Sequence, residues 1–240
     1  MDRRDFVGAC AGSTAAACLT ALPASWALAA NAQPRAYGRA LLTNEFGDPI
    51  RLKQLKAKTN YIFHYPFEST PAFLLDLGTA TRPTKLTSKD RSEYQWPGGV
   101  GPKRSVVAFS AICAHKLVYP TRELSFISFR SGKALNPNTP NAGEDLIHCC
   151  ADHSQYDPRQ GARVLAGPAE QPLCAILLEH DARQDTLTAY ATLGGELFNE
   201  FFQKYEFKLS LEVGPRAKEV VAQRSVVREL DQFCRNPVRC

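Results

Sequence analysis

The chain has 240 residues, with 29 Lys and Arg against 24 Asp and Glu, which gives a formal net charge of +5. That length suits one domain of ordinary size with appendages. The composition excludes a disordered chain, a coiled coil and a fibrous protein. Because the basic residues are scattered along the chain, no binding of nucleic acid is expected.

The N-terminal segment has the pattern of an export signal. Arg3 and Arg4 precede Asp-Phe-Val, an Ala-rich apolar stretch follows over residues 6–30, and small-residue cleavage sites lie at 27–29 and 30–32. A charged start, an apolar middle and an A-x-A end describe a secretory signal. The paired arginines resemble the twin-arginine type, which exports folded proteins. We therefore expect a twin-arginine signal peptide over the first 32 residues and a periplasmic location.

The same segment is long enough to remain in the inner membrane as an anchor. Residues 6–30 would span a bilayer, although Pro23 and many small residues weaken the apolar driving force. Cleavage and anchoring are both open from the sequence. Either outcome places the folded part in an oxidising compartment, where disulfides form.

Short apolar or alternating runs, separated by Gly and Pro turns, make up most of the remaining chain. Runs of this kind are typical of an antiparallel β-sandwich or barrel. The predicted fold class is therefore all-β, with strands at residues 40–42, 61–65, 72–75, 106–109, 124–129, 146–148, 175–178 and 186–190.

Two segments near the C-terminus are predicted to be helical. Residues 195–205 are short and aromatic. Residues 217–234 carry apolar side chains close to helical spacing, with charges between them.

Two pairs of cysteine and histidine stand out after the N-terminal segment. Cys113 and His115 form C-x-H, and Cys150 and His153 form C-x-x-H. Because alternate residues of an extended segment point the same way, the first pair would project together from the tip of a loop. Two thiolates and two imidazoles suit either one zinc ion or a two-iron cluster. These residue types alone do not choose between them.

The residues around the two pairs resemble the Rieske iron–sulfur family. C-A-H-K-L-V-Y-P begins at Cys113, C-A-D-H-S-Q-Y-D begins at Cys150, and G-P-A-E-Q-P-L begins at Gly167. The family carries C-x-H-x-G-C-x-P, then C-P-C-H-G-S-x-Y-D, then a G-P-A loop packed over the cluster. The resemblance covers roughly residues 100–190.

This resemblance implies a Rieske-type antiparallel β-sandwich with a small cluster-binding subdomain and a short C-terminal helix. The Rieske domain would span residues 36–205, with a cluster-binding part at about 105–175. Residues 206–240 would form a C-terminal extension.

The resemblance also implies a [2Fe–2S] cluster and its ligands. Cys113 and Cys150 would bind one iron, while His115 and His153 would bind the other. Neutral imidazoles in place of two thiolates lower the negative charge of the cluster and raise its reduction potential.

Several departures from the family motif concern the surroundings of the cluster. Val118 and Asp152 replace the two cysteines that bridge the loops in typical members, so this disulfide cannot form. The glycine after the second histidine is missing. With one deletion allowed, Ser154 and Tyr156 match the hydroxyls that hydrogen-bond to sulfur in the family. The negative charge of Asp152 leads us to predict a reduction potential below that of quinol-oxidising members.

The predicted function is periplasmic one-electron transfer, as a component of an oxidoreductase complex and not as a catalyst on its own. Lys116 stands where quinol-oxidising members have an apolar residue at the quinone surface. In addition, 34 residues separate His115 from Cys150, with an insert at 132–144. Both features favour a redox protein partner, an oxidoreductase large subunit or a cytochrome. The alternatives are the Rieske subunit of a cytochrome bc-type quinol oxidase and a zinc-stabilised binding module.

Outside the N-terminal segment, four further cysteines have no place in this ligand set: Cys149, Cys174, Cys234 and Cys240. Three full pairings among them are open. A bridge between Cys234 and Cys240 across a small loop is the pairing that we expect. Cys149 has no assigned role.

Overall fold

The structure is a computed structural model that describes residues 32–132, 141 and 143–240. Within these residues the protein is mainly β, which confirms the predicted fold class. The strands are β1 (Arg35–Thr43), β2 (Tyr61–His64), β3 (Pro71–Asp76), β4 (Thr84–Thr87), β5 (Glu93–Trp96), β6 (Val106–Ser110), β7 (Ile127–Arg130), β8 (Leu146–Cys149), β9 (Gln155–Asp157), β10 (Arg163–Ala166), β11 (Ala175–Asp181), β12 (Thr186–Leu193), β13 (Gln223–Val226) and β14 (Arg228–Glu229). The α-helices are α1 (Phe198–Glu212) and α2 (Leu230–Phe233).

The largest sheet has eight strands in the order β13-β1-β12-β11-β6-β3-β2-β14. Its two edge strands, β13 and β14, are separated in sequence by Val227 alone, so the two edges of the sheet must approach each other. Ser225 of β13 bonds to His64 of β2, the strand next to β14: its hydroxyl donates to the carbonyl of His64 and accepts from the N–H of the same residue. The sheet therefore curls on itself.

Strand β3 shows why the central strands read as continuous apolar runs. Phe73 and Leu75 face a core shared with the four-stranded sheet β10-β9-β8-β7 and the two-stranded sheet β4-β5. Ala72 and Leu74 face the interior of the curled sheet. Because successive side chains of a strand point to opposite faces, a strand buried on both faces needs apolar residues throughout.

The smaller, four-stranded sheet has the order β10-β9-β8-β7 and is antiparallel. Its inner face, with Ile127, Phe129, Ile147 and Tyr156, packs into the first of these two cores. All four strands lie within the predicted cluster-binding part at 105–175. The loop between β8 and β9 and the loop that follows β6 lie at one end of this packing.

The first part of helix α1, up to a kink with non-helical backbone at Tyr205, confirms the helix predicted at 195–205, and α1 continues beyond the kink to Glu212. Its buried phenylalanines, Phe198, Phe201 and Phe202, pack with Ile112 and Tyr119 next to the loop that follows β6. The helix thus covers one side of that loop.

The helix predicted over residues 217–234 is wrong for most of its length. Only the four residues of α2 are α-helical, and residues 223–226 pair with β1 in a parallel register. The spacing of the valines in this segment suits both the helical and the strand periodicity, and β-branched residues fit a strand well. The unpaired edges of the large sheet supply the partners that decide the outcome. Part of the segment expected as a C-terminal extension therefore belongs to the main sheet.

Two expectations fall largely outside the described residues. The N-terminal signal or anchor, residues 1–32, lies there apart from Ala32, and so does most of the insert at 132–144. Among the helices of the described part, none has the length and apolar character needed to cross a membrane.

Candidate metal centre

The first loop follows β6 and is closed by its own backbone. The N–H of Cys113 donates to the carbonyl of Val118 (2.9 Å), and the N–H of Leu117 donates back to the carbonyl of Cys113 (3.0 Å). Leu117 adopts a left-handed conformation (φ 58°), which allows this tight turn. Cys113 is fully buried, whereas the side chain of His115 is 34% exposed. The loop therefore presents its thiol inward and its imidazole toward the surface.

The second loop joins β8 to β9 and has the same closure. The N–H of Cys149 donates to the carbonyl of Ser154 (2.9 Å), again five residues further along the chain. The residue before the end of this loop, His153, is also left-handed (φ 59°), like Leu117 in the first loop. By backbone geometry, Cys149 is thus the counterpart of Cys113.

Strand alternation separates the two adjacent cysteines. Cys149 ends β8 opposite Ile127 and belongs to the apolar core that contains Cys113. The next residue points to the other face. There Cys150 forms a disulfide with Cys240.

Four donor groups from the two loops converge. The thiols of Cys113 and Cys149 and the carboxylate of Asp152 lie within 4.8 Å of one another. Asp152 Oδ2 is 2.9 Å from His115 Nδ1 and 3.3 Å from Cys113 Sγ. Its side chain is only 2% exposed. The loops therefore enclose a carboxylate between two thiols and an imidazole.

The electrostatics of this group favour the charged forms of Asp152 and Cys113 and the neutral form of Cys149. Burial opposes ionisation of Asp152, but the Ser154 N–H, the two thiols and the His115 imidazole together hold the pKa of its carboxyl below the usual value. The Cys149 thiol lowers the pKa of Cys113 by hydrogen bonding to it, while the same contact and burial raise the pKa of Cys149. A buried negative group of this kind is costly unless a cation compensates it.

Tyr156 and Ser154, both predicted near the site, support it in different ways. The Tyr156 hydroxyl accepts the N–H of Ala114 (3.2 Å) and lies 3.6 Å from Cys113 Sγ. With its oxygen engaged by Ala114, its proton is free to point at the sulfur. The Ser154 hydroxyl accepts the N–H of Ala169 (3.2 Å), which belongs to the G-P-A loop.

The G-P-A loop packs directly on the second loop. Gly167 has φ +88°, and a Cβ on it would lie 2.5 Å from the Cα of Ser154 and 2.8 Å from the carbonyl oxygen of His153. Only glycine allows this approach. The loop thereby covers the end of the second loop at His153 and Ser154.

The structure does not bring Cys150 and His153 to Cys113 and His115, as the predicted ligand set required. Among the described residues, Cys150 Sγ contacts Arg130, which donates from 2.7 Å, besides Val238 and its disulfide partner. A disulfide sulfur is not a thiolate, and a guanidinium repels a metal cation.

The groups of His153, His148 and Cys240 lie within 4.8 Å of one another on this outer face. The expected bridge between Cys234 and Cys240 is wrong, because Cys240 pairs with Cys150 and Cys234 is a free, buried thiol.

Sequence reasoning missed Cys149 and Asp152, although a signal for both was present. When the family motif C-P-C-H-G-S is aligned with its serine at Ser154 and without a deletion, its histidine falls on Asp152 and its first cysteine on Cys149. His153 then takes the place of the glycine, in agreement with its left-handed backbone. This alignment was missed because His153 was chosen as the ligand by its residue type.

The donor chemistry fits an iron–sulfur cluster or a zinc ion. Thiolates and imidazole bind both, and a carboxylate is an accepted ligand of zinc. The inner residues Cys113, His115, Cys149 and Asp152 would hold the group, with Tyr156 beside one sulfur.

No known protein-family model matches the chain. Among solved structures, the chain is similar to the soluble domain of the Rieske protein II (soxF) from Sulfolobus acidocaldarius, with 25% sequence identity and a TM-score of 0.46. The match covers 65% of this chain and 78% of that chain.

Proposed function

We propose that the protein transfers single electrons through a Rieske-type [2Fe–2S] cluster held between its two loops. The observation that carries the proposal is the convergence of Cys113, Cys149 and His115 with Asp152 at one end of a β domain. These donors come from two loops with the same backbone closure. The three-part sequence resemblance to the Rieske family supports the same cofactor.

A bound cluster would supply a one-electron couple whose potential depends on its ligands and on hydrogen bonds to its sulfurs. The chain's own residues set the conditions for that couple. The Tyr156 hydroxyl lies 3.6 Å from Cys113 Sγ, and the loop at Gly167 packs on the backbone of the second loop. His115, a third exposed, connects the buried donors to the surface.

The proposal is tested on the purified full-length protein by metal and sulfide analysis. We expect about two irons and two acid-labile sulfides per chain, together with a rhombic electron paramagnetic resonance (EPR) signal after reduction. Protein with one zinc, no iron and no such signal would instead support a zinc-stabilised binding module. The close spacing of the donor atoms of Cys113, Cys149 and Asp152, within 4.8 Å of one another, is the observation that favours this second candidate.

For the partner, we propose a redox protein with an acidic docking surface. Lys116 is exposed next to His115, and its carbonyl accepts a hydrogen bond from Lys204. Lys208 lies four residues further along α1, over the ring of Tyr119. Charges around the exposed imidazole would attract an acidic protein, whereas an apolar quinone gains nothing from them. A Lys116→Glu variant should slow reduction of an acidic cytochrome and weaken its dependence on salt, whereas unchanged rates would contradict this partner.

For the location, we propose export by the twin-arginine route, with the folded part in the periplasm. The disulfide between Cys150 and Cys240 supports this location, because such bonds persist in oxidising compartments. Replacing Arg3 and Arg4 by lysine should leave the protein in the cytoplasm. Fractionation of cells that carry the variant and the wild type tests this, and unchanged export would exclude the route.

A further inference from the structure

We infer that the metal centre is bound by Cys113, Cys149, His115 and Asp152, so that one of its four ligands is a carboxylate. This inference rests on the proposed function and specifies the ligands of that site. It replaces Cys150 and His153 by Cys149 and Asp152.

The first support is the equivalence of the two loops. In each, a buried cysteine N–H donates to the carbonyl five residues later, and the fourth residue after the cysteine is left-handed. This equivalence holds for Cys113 and Cys149, since the N–H of Cys150 instead donates to the carbonyl of Phe126. The two thiols therefore occupy matching positions on either side of the centre.

The second support is the placement of Asp152. Its carboxylate is 98% buried, yet it lies against three groups that bind metals and makes no ion pair with lysine or arginine among the described residues. Oxygen Oδ1 accepts the N–H of Ser154 at 3.0 Å. That bond orients the carboxylate and leaves Oδ2 facing His115 and Cys113, as ligand-supporting hydrogen bonds do.

The third support is that Cys150 and His153, the ligands predicted from the sequence, lie in a separate environment. Arg130 fills the space beside Cys150 and also binds the backbone oxygens of Val238 and Cys240. His153 is exposed, and its ring lies 6.1 Å from that of His148 on the outer face. A metal at this position would compete with a buried guanidinium.

A carboxylate ligand changes the charge of the centre. Two thiolates and two neutral imidazoles bring two negative charges, whereas two thiolates, one imidazole and one carboxylate bring three. The additional charge disfavours the reduced state. We therefore expect the variant Asp152→His, which restores a second imidazole, to keep the cluster and to have a higher reduction potential.

The decisive experiment counts nitrogen ligands in the full-length wild type. Pulsed EPR of protein labelled with ¹⁵N-histidine should show one nitrogen bound to the reduced cluster, and two in Asp152→His. Two bound nitrogens in the wild type would overturn the inference. Because the wild type itself is measured, this result does not depend on the folding of a variant.

Matched variants test the same assignment by metal content. Cys149→Ser and Asp152→Ala should lose the iron. The double variant Cys150→Ser/Cys240→Ser and the variant His153→Asn should retain it. The inference would be overturned if Cys149→Ser and Asp152→Ala retained the iron while the variants at Cys150 and His153 lost it. Circular dichroism identifies any variant that has not folded.

The failure of the proposed function is a separate outcome. If the wild type holds one zinc and no iron, electron transfer is excluded, and the zinc content of the same variants still decides between the two ligand sets. A wild-type protein that binds neither metal, even after reconstitution, overturns both the function and the ligand set.

Discussion

Removal of the disulfide between Cys150 and Cys240 should destabilise the protein strongly, even without a metal. The bond joins residues 90 positions apart, so it closes most of the second half of the chain. In the chain-entropy account, a closed loop of that length lowers the entropy of the unfolded state by about 15 cal/mol/K, or ~4.6 kcal/mol at 25 °C. The variant Cys240→Ser should therefore lower the free energy of unfolding by about 3–4.5 kcal/mol.

The size of this loss distinguishes the observed bridge from the one expected from the sequence. A bond between Cys234 and Cys240 would close a loop of only about seven residues and contribute ~2.4 kcal/mol in the same account. The two pairings thus differ by about 2 kcal/mol, which exceeds the uncertainty of careful denaturant titrations.

Equilibrium unfolding of the metal-free protein in guanidinium chloride, with and without a thiol reductant, measures the effect. Reductant should destabilise the wild type and leave Cys240→Ser unchanged. Cys234→Ser is the matched control, because this buried thiol is free and its variant should keep the sensitivity to reductant. A wild type with equal stability in both conditions, or a Cys234→Ser variant that loses this sensitivity, would refute the reasoning.

Three further predictions follow from single contacts. Tyr156→Phe should lower the reduction potential of the cluster by ~40 mV, because a hydrogen bond of about 1 kcal/mol to sulfur favours the reduced state. Tyr94→Phe removes a buried hydroxyl that has no hydrogen-bond partner in the part of the chain that the structure describes, and it should leave the potential unchanged in a redox titration. Gly167→Ala should lower the free energy of unfolding, measured with denaturant, by about 2 kcal/mol or more, since the added Cβ would lie 2.5 Å from backbone. Gly214 has a similar φ but open space around it, so Gly214→Ala should lower it by only ~1 kcal/mol. Equal losses in the two variants would contradict the packing argument. Burial is the main cause that lowers the pKa of His64 to about 4, so between pH 6.5 and 4 the unfolded chain binds a proton at this residue that the folded chain does not bind. The folded state therefore loses stability as the pH falls through this range, and His64→Gln should remove about 2–3 kcal/mol of that loss. An unchanged pH profile of the free energy of unfolding would refute the assignment to His64.

Most strands were predictable because their signal is local. β3, β6 and β8 are apolar runs bounded by turns, and each is central enough in its sheet for burial to dominate its composition. The segment at 217–234 was not predictable in this way. Its valines suit a helix and a strand about equally, and the deciding factor was two sheet edges formed by residues more than 150 positions earlier.

The candidate site was predictable in its first loop and only partly in its second. Cys113 and His115 stand alone in their segment, so residue type and spacing identify them. The second loop offers two adjacent cysteines and a histidine next to an aspartate. Residue type favours Cys150 and His153, which the structure places outside the group formed by Cys113, Cys149 and Asp152. The disulfide that removes Cys150 involves a partner 90 residues away, which no local pattern reports.

The register of β8 explains why the two adjacent cysteines have different roles. Ile147 and Cys149 face the apolar core, while His148 faces Ser128 and the sulfur of Cys240. A slip of one residue would exchange these faces, placing an imidazole in the core and an isoleucine beside a buried guanidinium. The pattern Ile-His that precedes the cysteines therefore determines which of them faces Cys113. It assigns the inner position to Cys149 and leaves Cys150 to bind the C-terminal segment.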